Sequence, residues 1–121
     1  MDVRELCRRF FPSLPGLMEH LKDGATWEYH VGDYVFHLRK EQGAPRFYEG
    51  PASDPDLTLY FTPEAVEVLS QAKDADTYYR MYRELMKSPQ GAARVDYKLN
   101  KSMVKLAKMG YVKWARRYGF L

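Results

Sequence analysis

The feature that most constrains this chain is a switch in hydrophobic period, from helical to two, near Trp27. Trp27, Tyr29 and Val31 alternate with Glu28 and His30; Gly32-Asp33 then makes a tight turn; Tyr34, Phe36 and Leu38 alternate with His37 and Arg39. Successive strand side chains point to opposite faces, so this pattern predicts a β-hairpin with one apolar face. Such a face has to be covered by a second layer, while the polar face can meet water.

The rest of the chain supplies more strands and the cover. A third short strand is predicted over 45–49, after Gln42-Gly43. In a fourth, Leu57, Leu59 and Phe61 point one way and Thr58, Tyr60 and Thr62 the other; in a fifth, Ala93, Val95, Tyr97 and Leu99 alternate with Arg94, Asp96 and Lys98. Val3, Leu6, Cys7 and Phe10 recur at helical spacing until Pro12 and Pro15 interrupt them, and a short helix or turn carries Leu17, Met18 and Leu21, with Gly24 as its C-cap. Thr62-Pro63-Glu64 opens a helix with a capping hydroxyl, a proline at the first position and an acid in the first turn. A second helix starts within 74–76 and stops at Ser88-Pro89, and Asn100 is the expected cap of a last helix running to about Tyr118. The expected fold class is α+β: a five-stranded, mostly antiparallel sheet with helices packed on one face, forming a single domain over 1–121.

At 121 residues, 45% hydrophobic and 15% aromatic, the chain can bury a real core. Its one cysteine, Cys7, excludes an internal disulfide framework and a Cys-rich zinc site, and its place among Val3, Leu6 and Phe10 makes it a buried small hydrophobe. The charged start is not followed by a long apolar segment, and no apolar run reaches transmembrane length, so a cytoplasmic location is expected.

Charge is unevenly placed. Beyond Asp96 there is no acidic residue, while Lys98, Lys101, Lys105, Lys108, Lys113, Arg116 and Arg117 contribute +7; against a net +3, the remainder carries −4. Met103, Leu106, Ala107, Gly110 and Trp114 form one side of the last helix, and the basic residues surround it. This pattern serves a helix docked on the sheet, and equally a transient contact with an anionic membrane surface. Nucleic-acid binding is disfavoured, because the rest of the chain is acidic and no recognised module appears.

No catalytic constellation is visible: the chain has no nucleophile elbow, no phosphate-cradling glycine loop and no Ser/His/Asp set. Asp54/Asp56 read as turn formers and Asp74/Asp76 as helix capping. His30 and His37 share the polar face of the hairpin, with Glu28 as the neighbour that would complete a metal site; solvated or hydrogen-bonded histidines are the expectation, and no metal or cofactor is called for.

The segment Gly50-Pro51-Ala52-Ser53-Asp54-Pro55-Asp56-Leu57-Thr58-Leu59-Tyr60-Phe61-Thr62-Pro63-Glu64-Ala65 resembles the sterol carrier protein type 2 domain family. There a strand closes in a Gly-rich turn, and an Asp precedes an alternating strand that leads through Thr/Ser-Pro-Glu into a helix. The resemblance extends to Gly91, the strand after it and the last helix, and covers the chain from about Trp27. It implies a sheet and helices that enclose an apolar cavity for fatty acyl chains, sterols or other lipids, closed in part by the C-terminal helix. The walls of such a cavity would be Phe36, Leu38, Leu57, Leu59, Phe61, Val66, Leu69, Tyr82, Leu85, Met86, Met103, Leu106 and Trp114. The expected function is noncatalytic binding or transfer of an apolar small molecule or lipid. The alternative is a filled fold that uses its basic last helix to dock a protein or membrane; a third reading is an accessory domain beside a separate catalytic chain.

Overall fold

In the computed structural model, which describes residues 2–121, the alternating segments join into one five-stranded sheet. β1 (Thr26–Val31), β2 (Tyr34–Glu41) and β3 (Ala44–Glu49) form an antiparallel meander, and β4 (Leu57–Phe61) and β5 (Val95–Leu99) extend it on the other side of β1, giving the order β3-β2-β1-β4-β5. Only the β1–β4 pair is parallel. Turn chemistry sets the register. Val31 faces Tyr34 across Gly32-Asp33, and Glu41 faces Ala44 across Gln42-Gly43. Gln42 and Gly43 both have positive φ, 52° and 80°, as a two-residue type I′ loop requires.

Helices cover the apolar face: α1 (Val3–Ser13), α2 (Pro63–Leu69), α3 (Ala75–Lys87), α4 (Met103–Lys108) and α5 (Tyr111–Tyr118). The side chain of Asp2 caps α1 at the Arg4 amide, Thr62 caps α2 at Ala65, and Asp74 caps α3 at Thr77. Phe11 of α1 fills the middle of the β1–β2 half, its ring centroid 4.7 Å from that of Tyr29, 5.8 Å from Phe36 and 5.7 Å from Phe61. Tyr29 stacks between Phe36 and Phe61. Burying a ring of this size contributes about 3 kcal/mol. Arg8 pins the other side of α1 to β3 through Glu49, which also accepts the Tyr34 hydroxyl.

Two expectations are corrected, and one left open is decided. α1 continues through Pro12 and ends at Ser13. A proline in the last turn forfeits one amide bond without ending the helix, and the break comes at extended Leu14, which precedes Pro15. Of the short helix or turn expected around Leu17 to Leu21, turns form: from Leu14 to Leu21 the chain is a run of tight turns, in which Leu17, Glu19 and Leu21 each donate to the carbonyl three residues back. The last helix is two. Ser102, not Asn100, caps α4 through the Lys105 amide, while the Asn100 side chain donates to Thr58 Oγ1. The break falls at Gly110, whose φ is +96° and where a Cβ would lie 2.3 Å from the His20 carbonyl oxygen. The chain turns there because the 14–21 turns leave no room for a helix side chain.

Replacing Gly110 with Ala is therefore expected to destabilise the protein by more than about 2 kcal/mol in denaturant unfolding. Gly43→Ala, also at positive φ but with open space around it, is expected to lose only about 1 kcal/mol; equal losses would refute the close approach. Burial also pushes the phenols of Tyr29, Tyr78 and Tyr79 well above their usual 10.0, and the Cys7 thiol from 9.0 to about 12. These groups keep their protons when folded and release them on unfolding. Their contribution to stability is thus fully present below the ordinary values of 9.0 and 10.0 and is lost as pH rises from them towards the raised ones. Denaturant midpoints measured from pH 7 to 11 should fall at the alkaline end only.

Candidate functional site

The two halves of the sheet are covered differently. Over β1 and β2 the core is filled, but over β4 and β5 the helices stand off and leave an apolar groove of about 190 Å³. Its floor is Leu57 and Leu59 of β4, their cross-strand partners Leu99 and Tyr97 of β5, and Trp27 of β1. Tyr78, Tyr79 and Tyr82 of α3 make one wall. Met103, Leu106 and Ala107 of α4 make the other, with Tyr111, Val112, Trp114 and Ala115 of α5, and Phe120 and Leu121 complete the lining.

Five of these rings have their polar tips occupied within the protein. Trp27 Nε1 donates to the Tyr111 hydroxyl at 2.9 Å, and that hydroxyl donates to Asp56 Oδ2 at 2.7 Å. Trp114 Nε1 donates to the Tyr79 hydroxyl, which donates to the Leu17 carbonyl at 2.6 Å; the Tyr82 hydroxyl reaches the Asp96 carbonyl. A buried hydroxyl or indole N–H without a partner is destabilising, and these bonds satisfy each of the five tips within the protein.

Asp56 anchors this arrangement. It is 2% exposed, and its Oδ2 also accepts the Thr26 amide at 3.1 Å, while Oδ1 lies 2.9 Å from Lys101 Nζ. The hydrogen bond to Asp56 raises the Lys101 pKa; burial, followed by the Asp56 charge, holds the Tyr111 phenol well above its usual value. The turn-former reading of Asp56 is corrected: it is a buried, ion-paired carboxylate. Asp54, exposed beside it, shares Lys101 at 3.1 Å.

Of the residues expected to form cavity walls, the groove brings together Leu57, Leu59, Tyr82, Met103, Leu106 and Trp114. Phe36, Leu38, Phe61, Val66, Leu69 and Leu85 are buried in the filled core outside it, and Met86 is exposed on α3. Missing from that set were Trp27, Tyr97 and Leu99, although their alternation already put them on the covered face; Tyr78, Tyr79 and Tyr111 carried the weaker signal of tyrosine richness. On the opposite face of the sheet, His30 Nε2 sits 2.8 Å from Glu28 Oε2, and His37 Nδ1 lies 2.9 Å from the Gly50 carbonyl. Among the described residues, no group of three or more His, Cys, Asp or Glu is placed to hold a metal. No helix of the described residues is long and apolar enough to cross a membrane.

No protein-family model matches the chain. No curated protein matches it either. Among solved structures it is similar to one described as "UbiJ-SCP2 Ubiquinone synthesis protein", with 16% identity and a TM-score of 0.47 over 96% of this chain and 91% of that one.

The Asp56 network gives a direct test. Tyr111→Phe deprives Trp27 Nε1 and Asp56 of a partner and should lower stability by about 1–3 kcal/mol. Asp56→Ala also strands the Thr26 amide and Lys101, and should lower it by about 3–5 kcal/mol. In a double-mutant cycle by urea unfolding the two losses should be strongly non-additive; simple addition would mean that the residues act independently.

Proposed function

We propose that this chain binds apolar ligands, lipid or fatty acyl in class, in the groove between β4–β5 and helices α3–α5, and carries them without transforming them. The open groove supports this most directly. Its floor and walls offer aliphatic side chains and ring faces, the surface an apolar ligand needs, at about 0.8 kcal/mol for each methylene buried. Its lining, among the described residues, contains no serine, cysteine, histidine or carboxylate side chain, which favours binding over chemistry. The resemblance of Gly50 to Ala65 to the sterol carrier protein type 2 family supports the same reading. A wholly filled fold, the basis of the interaction-module alternative, is not favoured by a groove that stands open in half the molecule.

Size limits the mode of binding. Cavities of about 150 Å³ lined by aliphatic and aromatic side chains hold a benzene-sized guest. A groove of about 190 Å³ accordingly takes one ring or a short stretch of acyl chain. The apolar end enters and the remainder lies at the mouth. An anionic membrane surface is the exchange partner this orientation favours.

A fluorescent fatty acid should bind saturably and quench Trp27 and Trp114, which both line the groove. Ala107→Phe and Ala115→Phe place a ring in the groove without removing a core contact. Each should weaken probe binding about tenfold or more, the equivalent of displacing roughly two methylenes, with an unchanged unfolding midpoint. Absence of saturable binding, together with no lipid in the natively purified protein by mass spectrometry, would refute the proposal.

A further inference from the structure

The groove opens along β5, α4 and the chain end, and the exposed side chains there are aliphatic. Leu99, Met103, Val104 and Leu121 are 46%, 61%, 66% and 71% exposed, the most exposed large hydrophobic residues among those described. Three of them line the groove itself; Val104 lies beside Met103 on α4, outside the lining. Isolated exposed apolar residues are ordinary, but a cluster at the mouth of an apolar groove marks a contact surface.

On α4 and α5, beside the cluster, the side-chain charge has one sign. No acidic residue follows Asp96. Lys101 is occupied by Asp54 and Asp56, and Arg117 by Asp76. Lys98, Lys105, Lys108, Lys113 and Arg116 are exposed and, among the described residues, form no ion pair. In α4 the division is sharp: Met103, Leu106 and Ala107 face the groove, while Val104, Lys105 and Lys108 lie off that lining.

We propose that α4 and the groove mouth dock on an anionic lipid bilayer. Met103, Val104 and Leu99 enter the interface, and Lys105 and Lys108 meet the headgroups. This rests on the reading of the groove as a lipid site and names the surface through which it loads. A bilayer supplies at one boundary both things the patch asks for, apolar depth and negative charge. Docked this way, the groove mouth faces the acyl region, and a ligand's apolar end passes between bilayer and protein without exposure to water.

The test is co-sedimentation of the full chain with phosphatidylcholine vesicles, with and without phosphatidylserine, over a salt series. Two variants avoid the groove lining: Val104→Asp, and Lys105→Glu combined with Lys108→Glu. The unaltered protein should partition onto the phosphatidylserine vesicles, less so as salt rises, and only weakly onto phosphatidylcholine alone. Both variants should lose at least about tenfold in partitioning while binding the fluorescent fatty acid normally in vesicle-free buffer. Equal partitioning of variants and unaltered protein would overturn the docking surface, as would failure to bind phosphatidylserine vesicles while an acidic protein is bound instead. Loss of fatty-acid binding by the unaltered protein would strike the ligand reading, which vesicle partitioning does not measure.

Discussion

A single buried carboxylate ties together elements that no continuous stretch of chain holds. The Asp56 amide donates to the Thr26 carbonyl at the start of β1, its carbonyl accepts the Asn100 amide just after β5, and its side chain reaches the Thr26 amide, the Tyr111 hydroxyl and Lys101. β1, β4, β5 and α5 therefore meet at one residue. A buried carboxylate is tolerable only when its lone pairs are used, and here amide, phenol and ammonium use them. The geometry is consequently demanding: displacing α5 would leave Asp56 short of a donor, at a cost larger than most single packing contacts.

That demand explains how an apolar groove stays open. Left to hydrophobic burial alone, α4 and α5 would settle onto β4 and β5 and remove the exposed surface of Tyr97 and Leu99. Polar contacts along the two helices oppose this. Tyr111 is held at Asp56, the Met109 carbonyl accepts the Lys22 amide at 3.0 Å, Gly110 is pressed against His20, and the Tyr118 hydroxyl donates to the Gly16 carbonyl at 3.0 Å. Arg117 adds an exposed pair with Asp76, a minor contribution by comparison. The turns from Leu14 to Leu21 thus do more than connect α1 to β1. They form the shelf that sets the height of the last two helices above the sheet.

Much of this fold could be read from periodicity and turn chemistry. The alternations at Trp27–Val31, Tyr34–Leu38 and Leu57–Phe61 gave the strands and their covered face, and Thr62-Pro63-Glu64 gave the start of α2. Features set by partners distant in sequence were not readable. Gly110 looked like a tolerated glycine on an amphipathic stripe, because its need for positive φ comes from His20, ninety positions earlier. Asp56 looked like a turn residue, because Lys101 and Tyr111 are far from it along the chain. The parallel pairing of β1 with β4 is set by which edge the chain returns to, which alternation does not encode. The candidate site divided for the same reason. Parity showed that Phe36, Phe61, Leu59 and Leu57 all face the helices, but not that α1 would plug the first half of the sheet with Phe11 and leave the second half uncovered.

This division also bears on the selectivity that the proposed function would require. In the filled half, rings are fixed by stacking, and any guest would have to displace them, as Tyr29 between Phe36 and Phe61 illustrates. In the open half, the tips of Trp27, Tyr79, Tyr82, Tyr111 and Trp114 are committed to protein partners, which leaves the hydroxyls of Tyr78 and Tyr97 as the free polar side-chain groups of the lining. Under the proposed function, discrimination would rest on the width between the α3 tyrosines and the α4–α5 wall and on those two hydroxyls. That width is set by the same polar anchors that keep the groove open. The Asp56–Tyr111 bond fixes a ring that itself lines the groove, while the Gly110–His20 contact holds the same wall from behind it.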